Sequence, residues 1–136
     1  TVMYEGSLRI PLMIHLPGQK EAAESSQLAT LMDLAPTMMD LAGAAYDPKD
    51  LDARSLLPAL LGDNKPVHEV QISELNNKIM LCDGRYKWIR SYNDSPELYD
   101  LQEDPEELHN CIAEHPEVIR RLQKYTFLHC GERRIL

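Results

Sequence analysis

The side chains able to do acid–base, metal or thiol chemistry are spread thinly along these 136 residues. The densest group is acidic: Glu103, Asp104, Glu106 and Glu107 crowd one short stretch. Carboxylates at that density can hold a hard cation such as calcium, but their spacing is not that of an EF-hand loop, and a solvated acidic face is the default reading. His68 and Glu74 could exchange a proton in principle. They lie six residues apart on one expected strand, too far for an acid–base pair without help from elsewhere. His15 sits inside an apolar run, where an imidazole is more often a satisfied core group than a ligand. Cys82, Cys111 and Cys130 are odd in number with no C-x-x-C among them. They suit neither a disulfide framework nor a zinc site, and read as buried or incidental thiols.

Composition narrows the partners. The formal net charge of −8 argues against nucleic acid, because phosphate binding needs a basic face. Arg120, Arg121, Arg133 and Arg134 are the nearest thing to a basic cluster, and read better as helix-end charges that complement the dipole. No apolar run approaches the ~20 residues needed to span a bilayer. The chain therefore reads as soluble with no membrane partner, and nothing in it selects between cytoplasm and periplasm. Thr1 follows no initiator Met and opens no charged-then-apolar leader, so the true beginning is expected elsewhere.

The elements that would position these groups can be read from periodicity. Residues 10–17, Ile-Pro-Leu-Met-Ile-His-Leu-Pro, predict a strand buried on both faces, in need of neighbours and exposing Leu12, Ile14 and Leu16 if it lacks them. Asp33 can cap a helix with Leu34, Met38 and Leu41 on one face and Gly43 as its stop. Residues 55–61 predict a short helix closed by Gly62. Strands are expected at 67–75, 78–82, 85–92 and 97–101, with Asp83-Gly84 as a hairpin turn. Pro116 opens a last helix with Val118, Ile119, Leu122 and Tyr125 as its stripe, Glu117 and Arg121 paired across a turn, and Gly131 as its end. Such a helix is the available cover for one face of a four-stranded sheet.

Two stretches carry a family pattern. Residues 97–110 read Glu-Leu-Tyr-Asp-Leu-Gln-Glu-Asp-Pro-Glu-Glu-Leu-His-Asn, a strand running into what looks like a capped helix start at Asp104-Pro105-Glu106-Glu107. Residues 4–11 read Tyr-Glu-Gly-Ser-Leu-Arg-Ile-Pro. In that order, and with Asp33-Leu-Ala-Pro-Thr-Met-Met-Asp-Leu-Ala-Gly43 between them, these segments resemble the C-terminal portion of the sulfatase family, within the alkaline phosphatase superfamily. The similarity runs from Tyr4 to about Leu122.

The resemblance implies an α/β fold: residues 1–62 end the catalytic α/β core, and residues 63–136 form a small four-stranded antiparallel sheet packed on a C-terminal helix. It implies a longer parent, a sulfuric ester hydrolase, whose Cys or Ser in a Cys/Ser-x-Pro-x-Arg motif becomes formylglycine. Its calcium ion would be held by Asp and Asn, and the N-terminal part of the parent would pack on this chain. No Cys or Ser here begins that motif, the metal ligands would lie upstream, and the family's lysine would fall immediately before Thr1. No catalytic or metal residue is thus expected in this chain, which alone should be inactive and bind no calcium. Tyr4, Glu5, Ser7 and Arg9 are the residues expected at the substrate or the site rim. Arg9 could meet an anionic substrate, or pair with Glu5 to hold the start of the strand. Alternatives are a phosphoesterase or phosphonate hydrolase of the same superfamily, and a non-catalytic interaction module.

Overall fold

A computed structural model describes the backbone of residues 3–132 and the side chains of residues 3–126. The chain forms two compact units: Ser26–Gln71, and the described part of Thr1–Ser25 with Ile72–Leu136. Residues 3–25 are thus grouped with the sheet, a different cut from the 1–62 and 63–136 division, which concerns the parent's catalytic core. Arg133 and Arg134 lie outside the described residues, as does the side chain of Cys130.

The larger unit is built on a four-stranded sheet in the order β1 (Gln71–Leu75), β2 (Lys78–Cys82), β3 (Tyr86–Ser91) and β4 (Glu97–Asp100). The central pairs are antiparallel, with Met80 opposite Ile89, Leu81 opposite Trp88, Lys87 opposite Tyr99 and Trp88 opposite Leu98. Alternation then separates two sets of side chains. Met80, Cys82, Ile89 and Tyr99 share one face and form a buried cluster with Met3, against which Tyr4 and Leu8 pack. Leu81, Trp88 and Leu98, on the other, are buried too, and α4 (Pro116–Glu132), with Val118 and Leu122 buried, packs on β2 and β3. Both faces are therefore covered, one by the helix and one by the start of the chain.

The hairpin turns one residue later than Asp83-Gly84. Asp83 N donates to Tyr86 O at 3.2 Å, so Gly84 and Arg85 are the central pair, and Gly84 takes φ +94° in the first position, as a type II′ turn needs. Asp83 accepts at Oδ1 from the amides of Arg85 and Tyr86, which closes the turn.

Five further expectations change. Residues 10–16 form no strand, with Ile10, Leu12 and Met13 exposed, because no described strand lies beside them to share a ladder. His15 is accordingly exposed rather than a core histidine. The junction at Asp104 starts no helix: Glu107 has φ +56°, and Asp104 accepts from the amides of Leu108 and His109, so its carboxylate caps a turn instead. In α4, Arg121 pairs with Asp83 and Glu117 with His115, since the sheet and the preceding loop offer closer partners than the helix's own next turn. The helix also continues through Gly131 to Glu132.

The smaller unit holds α2 (Leu34–Ala42), stopped by Gly43 at φ +66°, and α3 (Leu57–Leu60). Its buried residues on α2 are Pro36 and Thr37, whereas Met38 and Leu41 are exposed. Polar bonds decide this face: Thr37 Oγ1 donates to Asp33 O at 2.5 Å and accepts from Leu56 N at 2.8 Å. Asp33 is fully buried and accepts from Thr30 N at 2.7 Å, Arg54 N at 2.8 Å and His68 Nε2 at 2.9 Å. Its side chain is therefore the junction of three separate chain segments.

Burial by itself would raise the Asp33 carboxyl, but the amides of Arg54 and Thr30 and the imidazole of His68 outweigh it and hold the group below the usual carboxylate range. A carboxyl depressed on folding contributes stability above its unfolded value of about 3.9, and that contribution is lost as pH falls through the folded value. Asp33→Asn is expected to cost about 2 kcal/mol near neutral pH and to flatten the acid limb of a urea-denaturation series. An unchanged acid limb would contradict this role for Asp33.

Candidate functional site

The four residues expected at a site divide into two kinds. Tyr4 and Glu5 are drawn onto the sheet, while Ser7 and Arg9 stay exposed. The single turn α1 (Glu5–Leu8) makes this division, since Ser7 N and Leu8 N donate to Tyr4 O at 2.9 and 3.1 Å, and Arg9 N donates to Glu5 O at 2.9 Å. Met3, 2 % exposed, seats the start of the turn in the core. Arg9 makes no ion pair among the described residues; the partner of Glu5 is Lys87.

Lys87 lies on the apolar face of β3 and is 0 % exposed. Its Nζ sits 2.8 Å from Glu5 Oε1 and 2.9 Å from Glu107 Oε1. Glu107, its side chain 3 % exposed, also accepts the amide of Glu5 at Oε2, 2.6 Å away. A buried ammonium loses its hydration, which is tolerable only where opposite charges replace the water. Two carboxylates surround one cation here: Glu5 lies 82 positions before Lys87 in the chain, and Glu107 belongs to the 104–107 turn. That second carboxylate is held by a backbone in the left-handed region, uncommon for a side chain of this size.

A second hydrogen-bond network lies beside it. Glu97 Oε2 accepts from Tyr4 Oη at 2.9 Å and from Tyr99 Oη at 2.8 Å, and the two rings meet edge to face with centroids 6.0 Å apart. The bond to Glu97 raises the Tyr4 hydroxyl, and burial followed by the same carboxylate raises that of Tyr99. Both phenols are thereby kept protonated as donors.

The rest of residues 97–110 is occupied in closing its own loop. Asp100 takes a two-pronged contact from Arg85, at 3.0 Å from Nε and 2.7 Å from Nη2, which holds its carboxyl below the usual range. Asn110 accepts from Leu98 N at 3.0 Å and donates to Pro96 O at 3.3 Å, which zips the far end of the loop back onto β4. A cleft of about 170 Å³ opens between Asp104, Cys111 and His115. Its histidines are paired, His109 with Glu114 at 2.8 Å and His115 with Glu117 at 3.3 Å. Among the described residues no three His, Cys, Asp or Glu side chains gather as a metal-binding set. Cys82 and Cys111 are buried free thiols, and burial pushes both up from the usual thiol value, away from the thiolate.

Lys87 and Glu107 escape a reading by residue pattern. Lys87 stands between Tyr86 and Trp88 in an ordinary strand, and the one available signal is its phase: two residues from Ile89, it must share a face with the core. Glu107 is hidden in a run of acids in which Glu103 and Glu106 are exposed.

Residues 1–127 match the family model of N-sulphoglucosamine sulphohydrolase, C-terminal. The chain belongs to this sulfatase C-terminal family. Arylsulfatase K of Homo sapiens is 34 % identical over 139 residues, covering 90 % of this chain and 26 % of that protein. The chain thus spans about a quarter of the length of the curated relatives it matches. A structure solved with its substrate D-glucosamine-2-N,6-O-disulfate superposes with a TM-score of 0.64 and 25 % identity, over 73 % of this chain and 23 % of that one. The phosphonate monoester hydrolase of Agrobacterium radiobacter shares the fold alone, with a TM-score of 0.50 and 23 % identity over 71 % of this chain and 23 % of that one.

Removing the Lys87 ammonium leaves two carboxylates facing each other out of water. Lys87→Met is expected to cost about 3–5 kcal/mol in urea denaturation, whereas Arg9→Ala, at an exposed site, should stay within about 0.5 kcal/mol. Equal effects of the two would contradict this placement of charge.

Proposed function

We propose that this chain is the C-terminal part of a sulfatase that hydrolyses the sulfate ester of a sugar. The observation that carries the reading is the family match over residues 1–127, and the sulfated amino sugar bound by the solved neighbour supports the substrate class. In this proposal residues 1–62 complete the catalytic core and residues 63–136 form the appended sheet-and-helix subdomain. Formylglycine supplies the nucleophile and calcium the charge that neutralises the sulfate, both held by residues outside this chain, as is the family's lysine. The isolated chain is inactive. Its own residues contribute structure and, through Tyr4, Glu5, Ser7 and Arg9, the rim of the site.

Exposed apolar side chains support a covalently linked partner. Ile10, Leu12 and Met13 are 54, 45 and 93 % exposed in one unit, and Leu31, Met32 and Met38 are 65, 54 and 68 % exposed in the other. Such side chains grouped along single segments mark surfaces that another body covers. The N-terminal part of the parent is the proposed cover.

A second reading, a phosphonate monoester hydrolase, is favoured only by the shared fold, and fold does not choose the reaction. The test is direct. The parent gene product is assayed on a sulfated glucosamine and on an aryl phosphonate monoester, before and after chelation of divalent cations, with peptide mapping for a formylglycine-containing Cys/Ser-x-Pro-x-Arg segment. Sulfate release that chelation lowers by roughly tenfold or more, from a protein carrying formylglycine, is the expected result. Faster turnover of the phosphonate, or no formylglycine, would overturn it.

A further inference from the structure

Three directional bonds fix two consecutive residues near the start of the described chain. Tyr4 Oη donates to Glu97 on β4, Glu5 Oε1 meets Lys87 on β3, and Glu5 N donates to Glu107 in the turn beyond β4. Burial of Met3 alone would hold this segment to the sheet, but apolar burial is non-directional. An apolar residue in place of a buried ion pair is often as stable or more so, so stability alone gives little reason for an ammonium at position 87. What the ions add is orientation. Ser7 and Arg9, one turn along, are exposed and make no side-chain bonds among the described residues, so their direction is set by how residues 4 and 5 are held.

We propose that Lys87, acting through Glu5 and Glu107, is a positioning residue: it clamps residues 4–8 in one orientation and thereby aims Arg9. The inference rests on the reading of the chain as part of a sulfatase, in which Arg9 stands at the rim of the site. Lys87 itself touches no substrate. Its ammonium is sealed inside the sheet unit, and its effect passes entirely through the two carboxylates.

Glu5→Gln is the informative variant, because it removes one carboxylate and leaves a balanced Lys87–Glu107 pair, which preserves the fold. Lys87→Met serves as the second variant. Amide hydrogen exchange on the 136-residue chain, read by mass spectrometry, compares peptides covering residues 3–9 with peptides covering 78–91. Glu5→Gln is expected to speed exchange in 3–9 by about tenfold or more and to leave 78–91 unchanged. In the parent enzyme the same substitution should lower kcat by roughly one to two orders of magnitude, with KM within about twofold and an unchanged unfolding midpoint. Unchanged exchange in 3–9 overturns the clamp, and faster exchange with wild-type kcat overturns its positioning role. A parent that hydrolyses no sulfate ester overturns the assigned reaction instead, and the exchange comparison still decides the clamp.

Discussion

Lys87 has lost all of its water, and the charges that replace it are Glu5 and Glu107. Much of the larger unit follows from that constraint. The chain must bring residue 5 back across the sheet, and the loop after β4 must turn sharply enough to aim Glu107 inward, which it does through a left-handed backbone at that residue. Met3, Tyr4 and Leu8 are then delivered to the apolar face of the sheet as its cover. Without these residues Met80, Cys82 and Ile89 would face solvent on a sheet whose other side already carries α4.

The acidic stretch after β4 is best understood as a set of backbone caps with one buried ion among them. Asp100 anchors Arg85, Asp104 takes two amides, Asn110 closes onto Leu98, Glu97 collects two tyrosine hydroxyls, and Glu107 reaches Lys87. Each of these side chains thereby has a structural duty. These duties tie the stretch to β3, β4 and the start of the chain.

What could be read from residue order was whatever depends on near neighbours. The alternation around Met80 and Trp88, Gly84 in a tight turn, and the apolar spacing of Val118 and Leu122 all report contacts within a hairpin or a helix, and the structure keeps them. The misread elements depended on distant partners. Residues 10–17 have the composition of a strand but no ladder beside them, Arg121 prefers Asp83 to its own helix, and Thr37 outcompetes Met38 for burial because Asp33 and Leu56 bond to it. The candidate site behaves likewise. Tyr4 and Glu5 could be singled out from a family pattern, but Lys87 and Glu107 become visible only when residues about a hundred positions apart are folded together.

A double-mutant cycle between Glu5 and Lys87 tests the central claim most directly. Unfolding free energies of Glu5→Gln, Lys87→Met and the double variant would be measured in urea at neutral pH. A clamp predicts that the double variant is more stable than the sum of the single effects by about 1 kcal/mol or more, because Lys87→Met leaves Glu5 and Glu107 without their shared counter-ion and Glu5→Gln then relieves that repulsion. Additivity within about 0.3 kcal/mol would mean that the two side chains are neighbours without being coupled, and would contradict the account.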